Sequence, residues 1–206
     1  MSKIKSICLD EMEMPESNPT GEQLRKRIEL LSAVSLTPAG DEDVIGVVSL
    51  MNRAYRGADA DEGWTTEVGL IEGNRISAAT LHDEIAQKKK AKLLVWKLSD
   101  KVVGCVWVEP MDADTWYLGS LAIDPQVQNR KLGRHVLNAA EQWCKAREAR
   151  SIYITVLEAR DNLIAWYERR GYCKNGDTEL FPYDDDRFGT PIRQGLYFAV
   201  MTKSLE

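Results

Sequence analysis

The sequence predicts one α/β domain: a mixed, mainly antiparallel twisted sheet with helices on both faces and a central parallel βαβ unit. Three observations lead there. Two apolar runs, 92–98 and 101–109, flank Ser99-Asp100, a hairpin signal too short for anything but antiparallel pairing. A strand at 116–123, a long amphipathic helix from 130 and a strand at 151–157 make a crossover unit, expected to be parallel and right-handed. Two further helical stretches precede the hairpin and supply cover for the sheet.

In chain order, residues 1–29 read as an N-terminal extension, polar and interrupted by Pro15 and Pro19, with a short helix at 20–31. The domain is expected to span 30–206. Its first strand is placed at 30–36, broken by Thr37-Pro38, which opens a helix. Val44, Val47, Val48, Met51 and Tyr55 carry that helix to about 56. A loop follows at 57–63, then an irregular stretch at 64–70 and a turn at Gly73-Asn74. A second helix is read at 77–88, with Leu81, Ile85 and Ala86 facing inward.

After the hairpin, Asp124-Pro125 stops the strand 116–123. The long helix runs from about 130 to 149, with Val136, Leu137, Ala140, Trp143 and Cys144 at core spacing. A helix at 161–170 is closed by Gly171. The Asp-, Pro- and Gly-rich stretch 176–194 reads as loop, and 196–202 as the last strand.

Composition narrows the function. Of 206 residues, 44% are apolar and 29% charged, ordinary values for a globular chain. A net charge of −5 without a basic stripe argues against nucleic acid as a partner. No apolar run approaches the ~20 residues that span a bilayer, and the first ten residues lack an h-region. The four cysteines are scattered without metal spacing, so reduced thiols in a cytoplasmic protein, with no metal, are the expectation. The two histidines, His82 and His135, form no HExxH pattern. His135 reads as a first-turn helix residue and His82 as a surface one.

The chemistry concentrates at two places. Residues 124–134, Asp-Pro-Gln-Val-Gln-Asn-Arg-Lys-Leu-Gly-Arg, join a strand to a long helix. A helix N-terminus offers unpaired N–H groups and the positive dipole end, a seat for a pyrophosphate. Gly133 allows close backbone approach; Arg130, Lys131 and Arg134 add charge. The second place is the helix that begins Asn162-Leu163-Ile164-Ala165-Trp166-Tyr167, whose aromatics would otherwise be plain core.

Together these segments resemble the GNAT superfamily of acetyl-CoA-dependent N-acetyltransferases, over roughly 30–205. The first is similar to the family's Gln/Arg-x-x-Gly-x-Gly/Ala signature, with Gln128 first, Gly133 last and Lys131 in place of the middle glycine. The second resembles the family's Asn-x-x-Ala helix ending in Tyr-x-x-x-Gly-Phe/Tyr, with a shorter spacing between Ala165 and Tyr167. The resemblance implies a GNAT-like sheet and acetyl-CoA as cofactor. It places the cofactor against Leu121, Ala122 and Ile123 of the fourth strand, against Gln128, Asn129, Arg130, Lys131, Leu132, Gly133 and Arg134, and against Asn162. Tyr167 becomes the general acid for the departing thiolate, and a strand N–H near Leu121 holds the oxyanion of a tetrahedral intermediate. Gly119 within that strand suits a bulge or a close backbone approach.

The general base stays open. Relatives carry a glutamate where Tyr117 stands here; Glu109 on the adjoining strand could act through a water; or the amine arrives deprotonated. For the acceptor, a small-molecule primary amine, the resemblance points to Trp64, Glu67 and Arg75. The acidic run Asp184, Asp185 and Asp186 suggests a cationic acceptor or merely a solvated loop. A protein N-acetyltransferase and a non-catalytic acyl-CoA-binding regulator are the alternatives. A nucleotide-binding domain lacks its GxGxxG or GxxxxGK[ST] motif. The assembly is expected to be a monomer or homodimer.

Overall fold

The hairpin and the crossover unit form as the sequence leads one to expect. Strand β3 (Lys92–Leu98) and strand β4 (Lys101–Pro110) pair antiparallel across a turn in which Asp100 takes a φ of 65°. Strand β5 (Thr115–Ile123) pairs antiparallel with β4 and parallel with β6 (Ser151–Leu157), helix α3 (Leu132–Lys145) making the crossover. The computed structural model describes residues 34–57, 66–98, 100–125, 132–185 and 189–206. The extension 1–29 and its helix at 20–31, Trp64, Gln128 to Lys131 and Asp186 lie outside the described residues.

The remaining elements are β1 (Thr37–Pro38), α1 (Val44–Arg56), β2 (Ile71–Glu72), α2 (Ala78–Gln87), α4 (Asp161–Glu168), β7 (Cys173–Leu180), β8 (Thr190–Pro191) and β9 (Tyr197–Ser204). Among the described residues seven strands form one sheet in the order β1-β3-β4-β5-β6-β9-β7, and β2 pairs with β8 in a separate ribbon. Ladder partners share a face. Leu93, Val95, Cys105 and Trp107, with Tyr117 beside them, pack against Val47, Leu50, Met51 and Ala54 of α1 and Leu81 of α2. On the other face Trp116 meets Trp143 of α3 edge-on at 5.7 Å, and Tyr172 beyond α4 donates to Glu141 of α3 at 2.9 Å. Helices therefore cover both faces.

The differences from expectation have local causes. Among the described residues the first strand is Thr37–Pro38 itself, with Thr37 opposite Val95; 34–36 of the expected strand are not paired and 30–33 lie outside the described residues. Proline is tolerated there because β1 is the outer edge of the sheet, where a missing N–H has no neighbour to disappoint. The helix opens at Val44 after a short 3-10 turn, Asp41–Asp43. Helix α2 joins the apolar core through Ala78 and Leu81, and Ile85 and Ala86 are exposed rather than inward. Helix α3 stops at Lys145, where Arg147 folds over the Trp143 ring at 3.4 Å and Glu148 takes a φ of 70°. Helix α4 stops at Glu168, two residues short, with Gly171 at φ 87° turning the chain.

The larger correction is β7. Residues 176–194 are not all loop: Cys173–Leu180 pairs antiparallel with β9, and Thr190–Pro191 pairs with β2. Every residue of β7 is exposed. A strand wet on both faces leaves no hydrophobic alternation to read.

Among the described residues no helix is long and apolar enough to cross a membrane. Nor does any group of three or more His, Cys, Asp or Glu side chains lie together as a metal site.

Candidate active site

Strands β5 and β6 are paired only from Thr115 to Tyr117, opposite Ser151 to Tyr153. Beyond that they part, and a cleft of about 370 Å³ opens between Leu118–Leu121 on one side and Ile154–Leu157 on the other. The parting coincides with a bulge. Cys105 faces Ala122 and Trp107 faces Gly119, so Val106 alone stands opposite both Ser120 and Leu121. Ser120 adopts a φ of 49° to make it. Gly119 is approached closely by its own strand: a Cβ there would sit 2.5 Å from the Tyr117 hydroxyl oxygen.

The bulge is pinned from α1. The Tyr55 hydroxyl donates to the Leu121 carbonyl at 3.0 Å, a buried bond spanning 66 residues of sequence. Burial raises the Tyr55 phenol above its ordinary value, against a lowering influence from Arg75, whose guanidinium lies 5.4 Å over the ring. Arg75 is itself set by Asn52 of α1, whose Oδ1 accepts from the Arg75 N–H at 2.6 Å and whose Nδ2 donates to Ile76 O at 2.9 Å. Below the bulge, buried Asp124 takes Arg53 at 3.0 Å and Lys101 at 3.2 Å.

Helix α4 closes the opposite wall. Tyr167 is 6% exposed and lines the cleft, its ring edge-on to Trp166 at 4.9 Å and to Tyr172 at 5.3 Å. Burial raises its phenol; Arg160 opposes that. Arg160, just before α4, also lines the cleft; burial lowers its guanidinium, with Glu67 pulling the other way. Glu67 is in the lining too, ion-paired with Arg56 and donating its N–H to Tyr55 O at 3.0 Å.

The structure thus brings Tyr117, Leu121, Glu67, Arg75 and Tyr167 to one cleft. Ala122 and Ile123 lie in the core beneath it, and Asn162 is exposed on the first turn of α4. Leu132 and Gly133 are buried in the first turn of α3, with Arg134 exposed beside them. Gln128, Asn129, Arg130, Lys131 and Trp64 fall outside the described residues. Glu109 is turned away from the cleft: its Oε2 accepts from Lys88 at 2.7 Å and from the Trp107 indole at 3.2 Å. Asp184 and Asp185 sit in the turn after Phe181 and are not part of the lining.

Sequence reasoning missed Tyr55, Arg160, Glu179 and the aromatic pair Phe181 and Phe198, all of which line the cleft. Tyr55 carried a core-spacing signal only. Glu179 lies on the strand that had read as loop.

A family model described as the acetyltransferase (GNAT) family matches residues 58–172, more than half of the chain. A GNAT family acetyltransferase from Elizabethkingia anophelis with acetyl-CoA bound is similar over 60% of this chain and 82% of its own, at 19% identity and a TM-score of 0.52. The ribosomal-protein-S18-alanine N-acetyltransferase of Escherichia coli is similar over 84% and 94%, at 15% identity and 0.60. The PaiA N-acetyltransferase of Thermoplasma acidophilum in complex with coenzyme A is similar over 82% and 98%, at 14% identity and 0.58. At such identities these likenesses concern the fold.

Proposed function

Because the chain belongs to the GNAT acetyltransferase family, we propose that it transfers an acetyl group from acetyl-CoA to the primary amine of a small molecule. The observation that carries this reading is the parting of β5 and β6 beside Tyr167. From Leu118 onward the inner edge of β5 has no ladder partner in β6, so an extended, amide-bearing arm fits there as an additional strand would. The likeness to proteins that carry acetyl-CoA or coenzyme A supports the same cofactor. Gly133, with no side chain in the first turn of α3, suits a phosphate group at that helix N-terminus, joined by Gln128 to Arg134.

Acetyl-CoA supplies an activated acetyl thioester. The chain's own residues then have three tasks. Leu121, held out of register by the bulge and tied at its carbonyl by Tyr55, offers a backbone N–H toward developing negative charge on the acyl oxygen. As nitrogen bonds to the acetyl carbon and the carbon–sulfur bond breaks, Tyr167, kept protonated by burial, would give its phenolic proton to the leaving sulfur and regain one from solvent, which takes up the proton the amine nitrogen releases. The walls hold the reactants side by side, which lowers the entropic part of the barrier. The two faces of the sheet meet at the parting, which favours direct transfer: Tyr117 and Tyr153 come from the α1 side, Ile154 and Tyr167 from the α3–α4 side, and Tyr117, Ile154 and Tyr167 line one cleft.

A small acceptor is supported by the enclosure of the cleft beside the parting, where Phe181, Phe198, Leu157 and Glu179 form one wall. Free Cys105, Cys144 and Cys173 suit a reducing, cytoplasmic setting. The test is calorimetric titration with acetyl-CoA, then thiol release over a panel of amines. Saturable acetyl-CoA binding and amine-dependent release are expected. Binding without release for any amine returns the chain to the class of acyl-CoA-binding regulators.

A further inference from the structure

The α1 side of the cleft has a second chemical character, which bears on the acceptor. Ladder partners carry it across three strands: Leu157 of β6 faces Phe198 of β9, and Phe198 faces Glu179 of β7. All three line the cleft. Behind Phe198 lies an apolar cluster of Ile71, Leu157, Phe181 and Leu196, and the Phe181 ring stacks on Phe198 at 5.9 Å and 24°. Glu179 stands at the rim of this wall. Its Oε1 accepts from the Tyr153 hydroxyl, and Tyr153 leans on Tyr117 at 6.0 Å, the pair at which β5 and β6 separate.

The carboxylates of the lining differ in their commitments. Glu67 is already ion-paired with Arg56. Glu179 is held by a neutral hydroxyl, and among the described residues it has no cationic partner. Tyr153 has no charge to cancel it, so the carboxylate stays available to a cation at the rim of the cleft, which Arg75 and Arg160 also line. An ammonium donates up to three hydrogen bonds and suits that role. A flat or branched apolar group beyond the ammonium would be received by Phe198 and Phe181.

We propose that Glu179 receives the amino group of the acceptor as its ammonium ion, which releases one proton to solvent before the neutral nitrogen attacks, and that Phe198 and Phe181 hold its body, so that the acceptor is a primary amine on an apolar arylalkyl or alkyl chain. This rests on the acetyl-transfer reading and adds the substrate class to it.

The full chain, saturated with coenzyme A, is titrated with three probes: 2-phenylethylamine, 2-phenylethanol, which lacks the ammonium, and methylamine, which lacks the body. Phenylethylamine should bind at least about tenfold more tightly than either, as expected of one charge-assisted hydrogen bond or one buried ring. Glu179→Gln should weaken phenylethylamine about 10- to 100-fold and leave phenylethanol unchanged. Glu179→Asp keeps the charge and should retain most of the binding. Phe198→Ala should abolish the preference over methylamine. In turnover, E179Q should raise KM far more than it lowers kcat. Unchanged affinity in E179Q, no preference over methylamine, or acetylation confined to peptide N-termini overturns the proposal and leaves acetyl transfer standing. Failure of acetyl-CoA itself to bind removes both. Because Glu179 is an exposed residue of an edge strand, its variants are expected to fold, and their melting temperatures check that.

Discussion

Replacing Tyr167 with phenylalanine removes one oxygen from a residue that is 6% exposed. The ring keeps its edge-on contacts with Trp166 at 4.9 Å and Tyr172 at 5.3 Å, so packing is conserved. Among the described residues the hydroxyl makes no hydrogen bond, so no partner is orphaned. The hydroxyl oxygen is not among the fully buried atoms left without a partner; it opens on the cleft, so its loss is expected to leave stability near parental. The rate should respond quite differently. A general acid contributes about 10²–10⁴-fold, which corresponds to a barrier higher by about 3–5 kcal/mol. We expect kcat to fall within that range, with acetyl-CoA affinity and melting temperature close to those of the parent. Burial lifts the phenol above its ordinary value of 10.0, so the parent should show no alkaline fall in kcat from this group below that pH. Thiol release, calorimetry and thermal melting on one preparation decide the matter. A variant with parental kcat removes Tyr167 from the chemistry. A variant with parental kcat and a lowered melting temperature makes the hydroxyl structural instead.

Three further outcomes are expected. Gly133→Val, which puts a branched side chain into the first turn of α3, should weaken acetyl-CoA binding at least about tenfold in a calorimetric titration with the fold intact, since close phosphate approach needs bare backbone. Glu141→Ala removes a buried carboxylate that takes Lys203 at 2.7 Å and the Tyr172 hydroxyl at 2.9 Å, and should cost about 3 kcal/mol in a urea melt without affecting acetyl-CoA affinity. Stability should decline above pH 9.0: burial pushes the Cys105 and Cys144 thiols from that value up to about 12 and raises the Tyr55, Tyr167 and Tyr172 phenols above 10.0. In that window the unfolded chain has released protons that the folded chain retains, so the stability present below pH 9.0 drains away as pH rises through the folded values, and urea midpoints at about pH 8 and about pH 11 would reveal it.

Local pattern carried the fold a long way. The hairpin at Ser99-Asp100 and the crossover through α3 rest on short turns and helical periodicity, both local properties, and both appear where the pattern puts them. Strand β7 was invisible for the opposite reason. Its eight residues are all exposed, and it exists because β9 offers a free edge, which is a tertiary fact. Missing β7 hid Glu179 with it. The same limit applies inside the site. Tyr167, which lines the cleft, stands out in the sequence by its motif, but the bond from Tyr55 to Leu121 joins residues 66 apart and left no trace beyond core spacing. Glu109 shows the reverse error of proximity: one strand from Tyr117, it is drawn off by Lys88 and Trp107. The acidic run at Asp184 and Asp185 was conspicuous by composition, yet the cleft draws its carboxylates from Glu67 and Glu179 instead.

A sheet that divides partway along one seam acquires two more edges, and edges invite other chains. The outermost strands answer that hazard in ordinary ways. Strand β1 is two residues long and includes Pro38, while β7 slips register between Lys174 and Thr178 and carries Lys174, Asp177 and Glu179. The two inner edges need no such disguise. They face each other across the cleft inside the sheet, with α4 on one flank and the Phe181 cluster on the other. The opening can therefore leave backbone groups of β5 unpaired, ready for a slender extended guest, without offering a template for aggregation.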